Sequence, residues 1–450
     1  MAGGFWTSQN KVLPGVYINT KSAGNVSAAI GSRGIVAICE GLDWGETGVI
    51  KSITPGESLY PYIGYDITNE KALFLREMMK GTDVSDGPVE ILLYRPTGTN
   101  GARATASIGT DLTVTAKYPG IRGNDISIMV SASADVQDAY EVDTIVDGSV
   151  VDSQTVAAAS SLVANAWVEF SGDALTATAG TALTGGVNPT VAAADHSAFL
   201  TLLESYIFDI VVYDGTDATV AAAYAAFAKR MSERVGYKCQ CVLAGSGKNS
   251  EWVIQIPNGV TLSDGTALTA QQATWWVGGA EAGAQYNQSL TYAQYPGAVS
   301  ANPKMTEAQL EAAVQAGQLA FTDTFGVVRI CTDINSLTTF TVDKGEEYHK
   351  NRVMRVLNQL CNDIYRYFSL NFIGKVDNNA AGRSLLRGWI VGYLQEMQAN
   401  NGIQNFTADD VTVEQGNTVD AVVINIVITP VDAVEKVYVS VTVSVAVQAA

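Results

Sequence analysis

Histidine is nearly missing: the 450 residues include two, His196 and His349. An acid–base enzyme of the usual kind has little to draw on here. His196 lies in AADHSAF at an expected helix start and His349 in a charged helical turn, so both read as solvated surface residues. No G-x-S-x-G elbow and no H-E-x-x-H helix occurs, which removes the commonest serine-hydrolase and zinc-protease signatures. Basic charge is scarce as well: 27 Lys and Arg stand against 45 Asp and Glu, a net charge of -18. A field of that sign repels phosphate backbones and anionic membranes, so neither nucleic acid nor membrane insertion is expected. Charged residues make up 16% of the chain, where an ordinary domain has about a quarter. The surface must then be rich in Ala, Ser, Thr, Gly and Asn, which favours contact with other protein. Long apolar runs are missing too; Val220 to Ala228 is about half of a membrane span. The opening MAGGFWTSQNK lacks the basic and apolar regions of a secretory signal, so a cytoplasmic origin is expected. Five cysteines, an odd number scattered along the chain, suit a reducing compartment better than a disulfide framework.

Partial motifs fail on inspection. VLAGSGKNS follows an expected strand like a phosphate loop, but Val242 stands at the first glycine position and Asn249 at the Ser/Thr position that binds magnesium. Cys239 and Cys241 lie two apart on a strand, which places them on one face as core residues and not as a redox or metal pair. The acidic stretch from Asp135 to Asp152 has no EF-hand spacing. No cofactor, metal or catalytic residue is expected.

The patterns that are present describe several domains, as a chain of this length should have. GIVAICEG, a helical TNEKALFLREMMKG and PVEILLYRP read β, α, β. From 97 to 187 the chain changes to short alternating stretches such as Leu112 to Ala116 and Ile126 to Val130, with 3 basic and 10 acidic residues, a net of -7. An all-β insertion facing solvent is expected, the alternative being a linker. The α/β pattern resumes with a helix around Phe199, the strand IFDIVVYD, a helix from Asp217 to Val235, the strand YKCQCVL and helices from Ala270 to about Gln288 and from Thr306. Two amphipathic helices, Glu346 to Leu370 and Arg383 to Ala399, and then strands complete the chain. The resulting division is an extended arm at 1–20, an α/β core of 21–96 with 188–343, a β-rich insertion at 97–187 and an α+β C-terminal domain at 344–450.

The two ends cannot support themselves. Val12, Val16 and Ile18 surround Pro14-Gly15, with Tyr17, in an otherwise irregular arm. At the other end, from 437 to 450, Val437, Val439, Val441, Val443 and Val445 alternate with Tyr, Ser and Thr, the cleanest period-two signal in the sequence. An apolar strand at a chain end recruits another chain unless it is covered. Both ends therefore look built to complete sheets in neighbouring subunits, or else pair within their own.

LPGVYINT, IGSRGIVAIC followed by Trp44-Gly45, WWVGGAEAGAQYNQSLTY, Asn335-Ser336-Leu337-Thr338, NFIGKVDNNAAGRSLLRGWIVGYL and PVDAVEKVYVSVTVS run in an order and spacing that resemble the tail sheath proteins of contractile bacteriophage tails and R-type bacteriocins. The resemblance implies six-membered rings stacked helically around an inner tail tube, linked by the terminal arms. It implies contraction when a baseplate triggers it, with the tube driven through a cell envelope, and a tail terminator protein as a further partner. It also implies a core of subtilisin-like topology without a catalytic triad. A hydrolase on that core and a non-contractile lattice are the rival readings. From Lys344 to Asn400 there are 8 basic and 5 acidic residues, a reversal in an acidic chain. Lys350, Arg352, Arg355, Lys375, Arg383 and Arg387 are therefore expected to face the tube, the alternative being ordinary helix pairing such as Glu346 with Lys350.

Overall fold

The computed structural model describes residues 30–443. Val12, Pro14, Gly15, Val16, Tyr17, Ile18 and Val445 lie outside the described residues. The chain separates into two compact units, one of residues 31–373 with the stretch from Pro430 onward, the other built on 374–429.

The larger unit opens with β1 (Ile35–Cys39), β2 (Ile50–Ile53), the short α1 (Tyr60–Ile63), α2 (Leu73–Met79) and β3 (Glu90–Tyr94). The insertion follows as β4 (Thr105–Ile108), β5 (Leu112–Ala116), β6 (Ile126–Ala132), β7 (Tyr140–Val146), β8 (Ser149–Val156), β9 (Val168–Ser171) and β10 (Thr178–Ala182). The body resumes with α3 (Ala193–Leu203), β11 (Ile210–Tyr213), α4 (Ala218–Arg230), β12 (Gln240–Ala244) and β13 (Val253–Ile256). One six-stranded sheet runs in the order β13-β12-β11-β1-β3-β2, parallel throughout except for β2, which pairs antiparallel at its edge.

Strands buried on both faces are apolar without interruption, and alternate residues feed two separate cores. Val36, Ile38, Ile91, Leu93, Ile210 and Val212 pack on one face with Leu75 and Met78 of α2. Ala37, Cys39, Leu92, Tyr94, Val211, Cys239, Cys241 and Leu243 pack on the other with Phe199 of α3 and Phe227 of α4. The shared face expected for Cys239 and Cys241 is observed.

Beyond the sheet, β14 (Gly259–Leu262), β15 (Ala267–Leu268) and β16 (Ala298–Asn302) form a small antiparallel sheet, and β17 (Phe321–Thr324) and β18 (Val327–Ile330) a hairpin. Helix α5 (Ala270–Gly283) packs against α2, β11, β12 and β14, and α6 (Glu307–Gln315) starts at the capping box of Thr306 and Gln309. The expected helix to Gln288 stops at Gly283 because the chain turns extended at Ala284. The paired glycines of α5 allow two close approaches: a Cβ at Gly279 would stand 1.9 Å from the Met78 carbonyl oxygen of α2, and one at Gly278 2.2 Å from the Val212 side chain of β11.

The insertion is all-β, as its alternation predicted, in two sheets of order β10-β6-β7-β8 and β4-β5-β9. Its core of Ile108, Val114, Ile126, Ile128, Val142 and Val168 also takes in Trp44 from the body. The Trp44 ring centroid lies 5.1 Å from that of Trp167 and 5.3 Å from that of Tyr118.

Helix α7 (Asn351–Asn371) buries Met354 against the α3/α4 face of the sheet. By its contacts it joins the larger unit, whereas the sequence division placed it with the C-terminal domain from 344. Its amphipathic face gives the helix but not the partner that it covers.

The smaller unit contains α8 (Ala380–Ala399), started by the Asn379 side chain accepting from the Gly382 amide, the short β19 (Ile403–Gln404), and the antiparallel pair β20 (Val411–Gln415) and β21 (Val422–Ile426). The alternating valines expected as a strand from 437 form no strand among the described residues to 443.

Candidate functional site

Neither histidine is the solvated surface residue that its sequence context suggested. His196 is half-buried with Nδ1 3.0 Å from the Tyr224 hydroxyl and its ring edge-on to Tyr213 and Tyr224, and burial lowers its pKa. His349 is half-buried beside Phe340, its pKa also lowered by burial. Each is packed against aromatic rings instead of being set toward a nucleophile.

The loop that imitates a phosphate site is a structural tie. Asn249 Oδ1 accepts from the Thr338 and Thr339 amides at 2.9 and 3.2 Å, and the Lys248 amide donates to Gln255 Oε1. Among the described residues no cluster of three or more His, Cys, Asp or Glu is arranged to hold a metal ion.

The strongest concentration of charge is buried. Arg33 donates to the Glu281 and Ala282 carbonyl oxygens at 2.9 and 3.2 Å. Arg355 lies between two carboxylates, 2.5 Å from Glu281 and paired with Asp333, all three side chains closed to solvent. Asn351 donates to the second oxygen of Glu281, and the Leu290 amide to Asp333. Burial and the nearby Asp333 push the Glu281 pKa well up. Burial also acts on Asp333, but Arg355 and the Leu290 amide hold its pKa below the usual range. This arrangement positions α5, the 331–337 segment and α7 relative to one another, and removing one partner would leave an uncompensated charge.

That placement corrects part of the sequence reading. Arg355 is fully buried and Arg352 nearly so, so neither is presented to a tube; the apolar periodicity of α7 did not reveal that its polar residues also meet partners. Lys350 pairs with Glu435 of its own chain. Lys375 is exposed. Arg383 is partly covered and donates to the Asn378 side chain at 2.9 Å. Arg387 donates to the Val411 carbonyl oxygen at 2.8 Å and to that of Ala408, tying α8 to the turn before β20. These six cations thus do not form one surface.

The C-terminal stretch presents apolar side chains outward. Val437, Val439, Val441 and Val443 are 73 to 83% exposed, and Tyr438 90%. No strand pairing of this stretch occurs among the described residues. In the smaller unit, β20 and β21 form a sheet of two strands, with β20 against α8 and with exposed Val419, Val423 and Val427 alongside.

Comparison with known proteins covers most of the chain. Residues 99–188 match the phage tail sheath protein beta-sandwich domain, 190–336 the phage tail sheath protein central domain and 343–444 the phage tail sheath C-terminal domain. The phage-like element PBSX protein XkdK of Bacillus subtilis is 33% identical, over 98% of this chain and 99% of its own. The crystal structure of the sheath tail protein from Desulfitobacterium hafniense is 42% identical, with a TM-score of 0.85 over 94% of this chain and 99% of its own. The anti-feeding prophage helical sheath in its contracted state, 13% identical, shares the fold at a TM-score of 0.57 over 96% of this chain and 99% of its own.

Proposed function

The chain belongs to the phage tail sheath protein family, as a structural subunit of a contractile tail or tail-like particle and not an enzyme, and from that premise we propose how it assembles. Subunits form six-membered rings stacked helically around an inner tail tube, bounded by baseplate and tail terminator proteins and built in the bacterial host cytoplasm. The rings are joined by extended arms at both chain ends. The observation that carries this reading is the exposed valine alternation from Val437 to Val443 in a chain that also presents a two-stranded sheet, β20–β21, with open edges among the described residues. Strand addition answers both: an arm gains a ladder of backbone hydrogen bonds, and an open edge of the small sheet gains a neighbour. The same segments, repeated in every subunit, give a head-to-tail contact that propagates as a helix.

The parallel sheet with helices on both faces supports a subtilisin-like topology serving as a rigid body, and the histidines' aromatic packing gives no triad. Contraction is then rotation and sliding of rigid bodies between two sets of interfaces while the arms keep the lattice connected. The test is electron microscopy of the purified chain and of a chain ended before Val437. The full chain is expected to form wide-bore sleeves and the shortened one to remain folded and dispersed. Normal sleeves from the shortened chain would refute the arm reading.

A further inference from the structure

The stretch leading into the exposed C-terminal segment is fastened at one place. From 431 to 435 burial alternates, with 431, 433 and 435 partly covered and 432 and 434 exposed; from Lys436 to Val443 every residue is exposed. Among the described residues Glu435 is the last turned inward, its side chain 13% exposed. One carboxylate oxygen accepts from the Thr291 hydroxyl at 2.7 Å, and the other pairs with Lys350 Nζ. The Thr291 hydroxyl in turn accepts from the Asp333 amide at 2.9 Å, and the Asp333 carboxylate holds Arg355. Glu435 is thereby fixed to the same buried charges that position α5 and α7.

We propose that Lys350, Glu435 and Thr291 form a clasp that sets where and in which direction the C-terminal arm leaves its subunit, so that the arm meets a second copy of the chain already oriented. This rests on reading the segment as an inter-subunit arm. Lys350 is then a positioning residue for assembly, its charge spent within the chain and not on a tube. Without the clasp the arm pivots from an earlier residue and searches a larger volume, and its effective concentration at the neighbour falls.

The experiment uses the full chain with Lys350→Glu, with Glu435→Lys and with both together. It reads the critical concentration for sleeve growth by sedimentation and the melting of the dispersed subunit. Each single reversal is expected to raise the critical concentration about tenfold with little change in melting. The double exchange, which restores opposite charges, is expected to recover assembly. Single variants that assemble at the unaltered concentration, or a double variant no better than the singles, overturn the clasp. If a reversal unfolds the subunit, Lys350→Met and Glu435→Gln provide the same comparison by deleting one charge at a time. The chain ended before Val437 separates the two ideas. Sleeves from it refute the arm itself, whereas no sleeves from it together with normal assembly of the reversals refutes only the clasp.

Discussion

Arg355 stands 2.5 Å from Glu281 with both side chains entirely closed to solvent. Arg355→Met leaves Glu281 and Asp333 buried without their cation, and the subunit is expected to lose about 3–5 kcal/mol of stability. Urea denaturation of dispersed subunits measures it. A loss below about 1 kcal/mol would show that the two carboxylates find other partners.

Glu40 follows β1, and burial together with Asp214 raises its pKa well above the carboxylate range. An acid whose folded pKa is raised contributes its full stability below the unfolded value. That contribution is lost as pH rises from there toward the folded value, at about 1.4 kcal/mol per unit. Glu40→Gln is therefore expected to change stability little at pH 4 and to stabilise the subunit at pH 8. Denaturation curves at the two pH values check the sign; an equal effect at both rejects it.

Phe325 and Gly326 turn the β17–β18 hairpin with φ of 53° and 77°, and the Phe325 side chain is wholly exposed. Two positive φ values in a two-residue turn favour Asn-Gly. Phe325→Asn relieves the strain without losing burial and is expected to stabilise the subunit by about 1 kcal/mol. A melting temperature that does not rise counts against it.

The insertion, expected to face solvent, is also packed onto the body. Its core takes in Trp44, Arg122 donates to the Gly64 carbonyl oxygen at 2.9 Å, and Arg95 donates to that of Pro119 at 2.6 Å. Joining 97 directly to 188 bares Trp44, so that chain is expected to aggregate, and adding Trp44→Ser to restore solubility. Light scattering of the two chains decides. Soluble, assembling protein without the second change would mean that the indole is covered some other way.

For attachment to a tube, Lys375 is the better probe than Arg387, which serves the fold of α8 and β20. Lys375→Glu is expected to weaken co-sedimentation with preformed tube at low salt. The difference should vanish as the screening length falls from ~10 Å at 0.1 M to ~3 Å at 1 M. Arg387→Glu is expected instead to lower the melting temperature. Unchanged tube binding for Lys375→Glu at every salt rejects that contact.

The sequence made the repeating elements legible. Short, mainly apolar runs became β1, β3, β11 and β12, alternation became the insertion, and the amphipathic spacing of Val353, Val356 and Leu360 became α7. Charge was legible only as a count. The excess of Lys and Arg after 344 suggested a surface, yet Arg355 is buried between carboxylates brought from Glu281 and Asp333. Period and composition do not record distant partners. A glutamate inside the otherwise uncharged run of α5, TWWVGGAEAG, was the one local sign that a buried cation must exist to meet it. The terminal valines carried the opposite problem: their alternation specifies a strand, but a strand needs a partner, and within the described residues the chain supplies none.

The insertion is entered and left side by side. Thr99 and Thr190 exchange backbone hydrogen bonds of 3.0 and 2.8 Å, and Ala102 and Val187 a further pair of 3.0 Å each. A domain hung from a single strand swivels about it; one carried on two strands laced together has no such axis and behaves as a lever fixed to its shaft. Any turn of the parallel sheet is therefore delivered undiminished to the sandwich, and the point on the sandwich farthest from the sheet sweeps the longest arc. A label on the β6–β7 turn, at the end of β7 away from the Asp147 that Arg122 ties toward the body, would report rotation of the whole body with mechanical gain, and the sandwich needs no joint of its own to move.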